Sequence, residues 1–281
     1  MNLGDILATS GLPPTGYPAG GEREWLFGDD LENYRRIGGH PIYGEHDIIY
    51  RFNSLGYRCP DFDAAADIRI AAVGCSCVFG HGLPQPALFH EIFAERLRRE
   101  SNQKVVLWNL GKCGASNDYI SRILYLALPR LDPHIVLVNF TYGARREYVS
   151  VQNQLVSYNT AFRPADEVVK GICGHFAALS SRFDDQLNFF KNYKAVEFLL
   201  AGRPWLFSHV NPREFAPVTA QMDLSRHAGG LPTVDQARDG IHPGPESHRL
   251  LAEGYWAKFT ALGGTGPGCG RVLQTKSRGS V

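Results

Sequence analysis

A short apolar run that ends in a glycine-bounded turn is the feature that most constrains the fold of this chain. Residues 68–74 read IRIAAVG, and the turn continues as CSCVFG to Gly80. An apolar segment of this length is typical of a strand covered on both faces. Gly74 and Gly80 permit a sharp bend, and open α/β sheets place their ligands at the carboxyl ends of strands. The pattern therefore predicts a buried strand that presents Ser76 at such an edge, although an ordinary strand-to-helix turn explains this stretch alone equally well.

Segments with helical and extended patterns alternate after this turn. Apolar residues recur at helical spacing, Ser116 is a suitable N-cap, and short β-branched runs lie between the helical segments. This alternation favours a parallel, doubly wound sheet with right-handed crossovers. The predicted helices span about 86–100, 116–128, 181–201 and 246–262, and the predicted further strands span 104–110, 135–141 and 204–210.

The alternation of helical and extended segments is interrupted at several places, and these interruptions define the predicted domain organisation. Residues 1–66 form an extension expected to pack on the main domain, which spans 67–262. Residues 143–203 (including the long helix) and the irregular stretch 211–238 are predicted lid insertions, because long loops inside a compact domain are usually functional. The tail from 263 to 281 lacks periodicity and is predicted to be disordered.

Composition narrows the class of protein. The chain has 281 residues, with 44% hydrophobic and 20% charged residues and a formal net charge of +1. These values are typical of a globular domain without a general attraction to nucleic acid or acidic membranes. The first residues have neither a basic segment nor a long apolar run, so we expect no signal peptide, no membrane span and a cytoplasmic location.

Six cysteines occur, at positions 59, 75, 77, 113, 173 and 269. Their spacing does not match the usual zinc patterns. Cys75, Cys77 and Cys113 could meet at the strand ends, but the favoured interpretation is small, reduced, buried residues. The cysteines therefore predict no zinc site.

Three separated pieces are predicted to lie at strand ends or just before a helix. They contain Ser76, the Asn109-to-Gly114 turn, and the pair Asp239 and His242. A serine hydroxyl needs a base to become a nucleophile, and His242 is the candidate. Asp239, three residues earlier, could orient the imidazole and stabilise its charged form. The backbone N–H groups of Ser76 and Gly114 are the candidate donors to an oxyanion.

The order and content of these pieces resemble the SGNH (GDSL-type) serine hydrolase and esterase superfamily. Gly74-Cys75-Ser76, with the following FGHG, matches the first block; Asn109, Gly111 and Gly114 match the second; and Asp239, His242 and Pro243 match the last. NSLGYR at 53–58 also resembles a segment that precedes the first block in some members. The resemblance implies a flavodoxin-like three-layer α/β/α sandwich. It also implies hydrolysis of a small-molecule ester or thioester through an acyl-serine, without a metal or another cofactor.

Two positions depart from the family pattern. Cys75 stands where the first block usually has Asp, a residue that supports the turn. In the third block, the Asn whose side chain donates to the oxyanion falls near Gly143. Loss of one such donor typically costs about 10²–10³ in rate. Asn117, Arg145 or Arg146 could substitute, or contact a substrate carboxylate or phosphate, although a solvated Arg-Arg-Glu at a helix start is an equally good interpretation.

Several alternatives remain open at this stage. His209 and His248 compete with His242 as the base, but only His242 has the Asp-x-x-His spacing. The same three catalytic groups could transfer an acyl group to an alcohol or amine if a lid excluded water. A catalytically silent binding protein is the third interpretation, because the third-block Asn is missing. The sequence leaves the oligomeric state undetermined.

Overall fold

A computed structural model of the chain describes residues 12–13, 15–62, 65–149, 155–158, 170–171, 174–175, 178 and 181–264. The predicted tail from 265 onward and part of the first predicted lid lie outside these residues. The described strands are β1 (Glu22–Arg23), β2 (Tyr50–Arg51), β3 (Ile68–Gly74), β4 (Val105–Asn109), β5 (Ile135–Phe140), β6 (Arg146–Val149), β7 (Leu155–Tyr158), β8 (Trp205–His209) and β9 (His227–Gly230). The described α-helices are α1 (Leu31–Arg36), α2 (Ser76–Phe79), α3 (Phe89–Ser101), α4 (Asn117–Leu131), α5 (Arg182–Leu199), α6 (Pro212–Phe215) and α7 (Pro245–Ala261).

Five parallel strands form the central sheet, in the order β4-β3-β5-β8-β9. Within this sheet the order is 2-1-3-4-5, the flavodoxin-like form of the doubly wound fold. Strand β3 lies between β4 and β5, and its residues Ile70, Ala71 and Ala72 are completely buried. This burial explains why its sequence is continuously apolar rather than alternating. The predicted α/β class and parallel sheet are confirmed.

Helices cover both faces of the sheet and complete three layers. On one face α4 packs beside α5, where Ile123, Leu124 and Phe189 join the core against Val73. On the other face α3 packs beside α7, where Phe93 and Phe259 are among the buried residues. The apolar residues recur at helical spacing because each helix buries only one side. The three-layer α/β/α prediction is confirmed.

Helix α4 is longer than predicted, because it continues through Pro129 to Leu131. A proline within a helix removes one backbone hydrogen bond. Here the last turn is nevertheless retained, since Leu128 and Leu131 are buried and the N–H of Asp132 bonds to the Leu128 carbonyl. Burial of the last turn therefore outweighs the lost hydrogen bond.

The stretch 211–238 contains more structure than its sequence suggests. It includes α6, two 3-10 turns and β9, the fifth strand of the sheet. Strand β9 reads HAGG, which has no strand pattern, and it pairs with β8 with an irregular register. The first insertion also differs at its start, since Arg146 and Glu147 lie in β6, paired with β7, rather than at a helix start.

The described part of the extension packs against the turn that carries Ser76. Strands β1 and β2 pair antiparallel, and Ile48, Tyr50 and Phe52 form a buried cluster with Phe79 of α2. Among the described residues, no helix has the length and apolar character needed to cross a membrane.

Candidate active site

Ser76 is the first residue of α2 and is separated from Gly74, the carboxyl end of β3, by Cys75 alone. We call residues 74–80 the elbow. The side chain of Asn109 supports it, because Asn109 Nδ2 donates to the Val78 carbonyl at 2.9 Å while its Oδ1 accepts from the Gly111 N–H at 2.9 Å. A Cβ at Gly111 would lie 2.4 Å from the Phe79 nitrogen, so only glycine permits this approach. The second block thus fixes the turn that carries Ser76.

The loop before α7 brings Asp239 and His242 to this serine. We call residues 238–243 the Asp-His loop. His242 Nε2 lies 2.8 Å from Ser76 Oγ, and His242 Nδ1 lies 2.5 Å from Asp239 Oδ2. Asp239 Oδ1 accepts the N–H groups of Ile241 and His242 at 3.1 and 3.0 Å, which closes the loop locally. The Asp-x-x-His spacing therefore gives a hydrogen-bonded chain from serine to histidine to aspartate.

The electrostatic surroundings of Asp239 suit the hydrogen-bonded series Ser76–His242–Asp239 to acid–base chemistry. Asp239 is buried, with 2% of its surface exposed. Burial raises its pKa, but the hydrogen bond and charge of His242, together with the two N–H groups, outweigh burial and lower it. The carboxylate therefore stays ionised at neutral pH and fits the tautomer in which Nδ1 carries the proton. In that tautomer Nε2 accepts a proton from Ser76.

The two predicted oxyanion donors have no acceptor among the described residues. Neither the N–H of Ser76 nor that of Gly114 makes a backbone hydrogen bond there, whereas the next amide, of Ala115, donates to the Lys112 carbonyl at 3.1 Å. Unpaired N–H groups of this kind, one of them on Ser76 itself, are suited to stabilising negative charge on an attacked carbonyl oxygen.

The loop after β5 replaces the third block, and we call residues 141–146 the arginine loop. Its Gly143 is packed so closely that a Cβ would lie 2.2 Å from the Asp185 carbonyl oxygen. The Gly143 N–H donates to Glu214 Oε2, and its carbonyl accepts from Asn188 Nδ2 at 3.1 Å. No asparagine fits at this position without movement of the backbone.

The side chain of Asn117 is hydrogen-bonded to the backbone of the arginine loop. Its Nδ2 donates to the Thr141 carbonyl at 3.0 Å, and its Oδ1 accepts the Thr141 N–H at 2.8 Å. The buried amide thus holds the first residue of the arginine loop, and both of its ends are used in this arrangement.

The two arginines of this loop have different surroundings. Arg146 forms an ion pair with Asp184 at 2.6 Å and lies 3.6 Å from Asp185, at the start of α5. Arg145 Nη1 instead contacts the Ala115 carbonyl at 3.4 Å and Thr141 Oγ1 at 3.1 Å. The Arg145 Nε is buried without a hydrogen-bond partner. Arg145 is therefore anchored at the carbonyl of Ala115, the residue after Gly114, whereas Arg146 pairs with α5.

His81 is a site residue that the sequence reasoning missed. Its ring lies edge-on to that of His242, with 5.0 Å between the ring centres, and its Nδ1 lies 3.6 Å from Cys113 Sγ. Burial, and then the neighbouring His242, lower its pKa to about 4, so the ring is neutral at pH 7. The FGHG run after the first block was the available signal, but it assigns His81 no role.

Within the described part of the chain, side chains that could ligate a metal also cluster at this site. One group of three, His81, Asp239 and His242, offers ligand atoms within 4.8 Å of one another. Two of these three residues already form the hydrogen-bonded chain with Ser76.

The cysteines near Ser76 are free thiols. Hydrogen bonding from Cys77 lowers the pKa of Cys75, with a further contribution from Arg145, although burial opposes this. The same contact and burial raise the pKa of Cys77. Burial raises the pKa of Cys113 to about 12, so this thiol stays protonated and weakly nucleophilic.

The competing histidines lie elsewhere. His209 Nδ1 is 3.0 Å from His227 Nε2, and its ring stacks on Phe215. His248 is buried in α7, where its Nδ1 accepts the N–H of Phe89 at 3.2 Å. Neither contact involves Ser76, so of these three histidines it is His242 that lies against the serine.

Comparisons with known proteins found similarity only to solved structures. No protein-family model and no curated protein matches the chain. The structure of TesA is 16% identical, with a TM-score of 0.43, and the match covers 69% of this chain and 99% of TesA. The psychrotrophic esterase EstA from Pseudoalteromonas sp. is 14% identical, with a TM-score of 0.42 and coverage of 70% and 98%. A lipolytic protein of the G-D-S-L family from Veillonella parvula is 12% identical, with a TM-score of 0.40 and coverage of 69% and 98%.

Proposed function

We propose that this protein is a serine esterase of the SGNH type, which hydrolyses an ester or thioester of a small molecule. One observation carries the proposal: Ser76 Oγ lies 2.8 Å from His242 Nε2, while His242 Nδ1 lies 2.5 Å from buried Asp239. A serine with a base in reach, and a base with an orienting carboxylate, is the arrangement of an activated nucleophile.

In the acylation step Ser76 Oγ attacks the acyl carbon and its proton passes to His242 Nε2. The ionised Asp239 stabilises the resulting imidazolium. The carbonyl oxygen becomes an oxyanion, which the N–H groups of Ser76 and Gly114 stabilise. The bond to the leaving group then breaks, and His242 returns the proton to the departing alcohol or thiol.

In the deacylation step a water molecule attacks the acyl-serine. His242 takes a proton from this water, the same two N–H groups stabilise the second oxyanion, and the proton then moves to Ser76 Oγ. The acid is released and the enzyme returns to its starting state. An alcohol or amine in place of the water would give acyl transfer by the same steps.

Arg145 is the proposed replacement for the missing third-block amide. The support is its contact with the Ala115 carbonyl, next to Gly114, and its buried Nε without a partner. A guanidinium there would stabilise an oxyanion or hold an anionic group of the substrate. Asn117 and Arg146 are less suited, because Asn117 pairs with the Thr141 backbone and Arg146 with Asp184.

A fluorophosphonate probe tests the proposal. Ser76 Oγ should attack phosphorus with loss of fluoride, and mass spectrometry of the digest should locate the adduct on Ser76. Labelling should disappear in Ser76→Ala and His242→Ala. A Cys77→Ser variant is the control for the adjacent thiol and should still be labelled at Ser76.

The same experiment separates the rival functions. A folded protein that resists the probe would instead be a silent binding protein, and the esterase proposal would fail. If the probe labels Ser76, a panel of short- and long-chain esters and thioesters, with and without a competing alcohol or amine, distinguishes hydrolysis from acyl transfer by the product formed.

A further inference from the structure

Arg238, the residue before Asp239, is completely buried and held by the N-terminal extension. Its Nε and Nη2 donate to Asp29 Oδ1 and Oδ2 at 3.0 and 2.8 Å, and Asp29 is itself 1% exposed. Its Nη2 and Nη1 also reach the carbonyls of Glu24 and Glu45 at 2.7 and 3.1 Å. The guanidinium carbon lies 3.9 Å from the centre of the Trp25 ring. The extension therefore surrounds this one side chain with a bidentate carboxylate, two carbonyls and an aromatic face.

The same network reaches the residue after His81. The Tyr50 hydroxyl donates to Asp29 Oδ2 and accepts the N–H of Gly82 at 2.8 Å. The N–H of Arg238 donates to the Gly82 carbonyl at 2.9 Å. Asp29, Tyr50, Gly82 and Arg238 thus form a closed ring of hydrogen bonds that joins the extension, the segment just after the elbow and the Asp-His loop.

The extension also holds the backbone of the loop directly. Asn33 Nδ2 donates to the Asp239 carbonyl at 2.9 Å and to the Gly28 carbonyl at 3.1 Å. The peptide that carries the Asp239 side chain is therefore fixed on both sides, by Asn33 at its carbonyl and by the Arg238 network at the preceding residue.

A buried ion pair is a costly way to hold a loop. Well-packed apolar residues of similar volume often serve stability as well or better, because both charges must leave water. What a bidentate carboxylate–guanidinium pair adds is a defined direction and distance. That property matters next to Asp239, since a misplacement of about 1 Å at a reacting centre can cost about 10²-fold in rate.

We propose that Asp29 and Arg238 are positioning residues for the reaction, which hold Asp239 and His242 in register with Ser76. The proposal rests on the function proposed above. Neither side chain contacts Ser76, so each acts through the loop. The described part of the extension is then an integral part of the active site.

The test compares Asp29→Asn with a matched control, Glu22→Gln. Asn keeps the shape of Asp29 and removes its charge. Glu22 lies in the same extension and forms an exposed ion pair with Arg51 at 2.7 Å. The rate and affinity of fluorophosphonate labelling are measured separately. We expect Asp29→Asn to lower the maximal labelling rate by about 10- to 10²-fold, with the reversible affinity unchanged within about twofold, and Glu22→Gln to match the wild type.

A spectroscopic readout keeps this test independent of turnover. In protein labelled with ¹⁵N-histidine, the proton between His242 Nδ1 and Asp239 is assigned by its absence in His242→Asn. We expect that signal to shift or broaden in Asp29→Asn and to remain unchanged in Glu22→Gln. If the wild type does not react with the probe, the proposed function fails, while the signal still reports whether Asp29 positions His242.

A conservative variant covers the case in which Asp29→Asn does not fold. Arg238→Lys keeps the charge but cannot form the bidentate contact, and we expect it to fold and to show the same loss of labelling rate. Labelling within twofold of the wild type in a folded variant, with an unchanged histidine signal, would overturn the proposal.

Discussion

The Asp-His loop and the arginine loop lie at the same edge of the sheet but are fixed in different ways. In the Asp-His loop, Arg238 forms a buried ion pair with Asp29 of the extension, and His242 reaches Ser76. The arginine loop is held by neutral amides and a carboxyl group from neighbouring helices, through Asn117, Asn188 and Glu214. One loop keeps Asp239 and His242, the residues of the motif that the sequence resembles, whereas the other has Gly143 where that motif has an asparagine.

This difference separates the two halves of the proposed chemistry. Acid–base catalysis needs a histidine and a carboxylate in one defined geometry, and the Asp-His loop supplies both. Oxyanion stabilisation depends on donors that can come from several elements, so the loss of one side chain can be compensated by another. We therefore expect substitutions in the Asp-His loop to have larger effects than those in the arginine loop.

The largest expected effect is that of Asp239→Asn. The amide would favour the wrong tautomer of His242 and could not stabilise the imidazolium, so the labelling or acylation rate should fall by about 10⁴-fold. Inactivation kinetics with the fluorophosphonate measure this. Asp235→Asn is the matched control, since Asp235 also accepts backbone N–H groups, from Glu246 and Ser247, but does not contact His242. Equal rates for Asp239→Asn and the wild type would contradict the role of Asp239.

The sequence predicts an interaction well when its partners are close together along the chain. Asp239 and His242 are three residues apart, so their spacing alone places both side chains on one turn. The buried run of β3 and the Asn109-to-Gly114 block likewise act within short segments, and four of the five strands of the sheet were predicted. Strand β9 has no pattern of its own, because its HAGG segment is defined by pairing with β8.

The contacts that the sequence could not predict join distant positions. Asp29 and Arg238 are 209 residues apart, and only the fold brings them together. The sequence also could not show which of Arg145 and Arg146 lies near the proposed oxyanion site. The two residues are adjacent, and their difference depends on whether Ala115 or Asp184 lies within reach.

The next largest effect is expected from Arg145→Gln. If its guanidinium supports the oxyanion, the labelling rate should fall by about 10²-fold, as for the loss of one oxyanion donor. Arg146→Gln is the control within the same loop and should change this rate less than about twofold, since its ion pair is with α5. A wild-type rate in folded Arg145→Gln would leave the oxyanion to the amides of Ser76 and Gly114 alone.

The smallest expected effect is on the pH dependence of stability, and it differs in sign between a residue beside each loop. Burial lowers the pKa of His81, beside the Asp-His loop, to about 4, whereas burial raises the pKa of Glu214, under the arginine loop. Between about pH 6.5 and 4 the unfolded chain binds a proton at His81 that the folded chain does not. His81 therefore destabilises the fold as the pH falls, by up to about 1.4 kcal/mol per pH unit.

The pH dependence of the Glu214 contribution to stability has the opposite sign. Glu214 binds a proton more readily in the folded state than in the unfolded chain, so its contribution to stability falls as the pH rises. We expect His81→Gln to reduce the loss of unfolding free energy between pH 7 and pH 5, and Glu214→Gln to increase it. Urea unfolding at pH 7, 6 and 5 measures both slopes. In Glu214→Gln the new side chain keeps an acceptor for the Gly143 N–H while removing the titrating group. If the unfolding free energy of both variants varied with pH as in the wild type, proton binding at His81 and Glu214 would not affect stability.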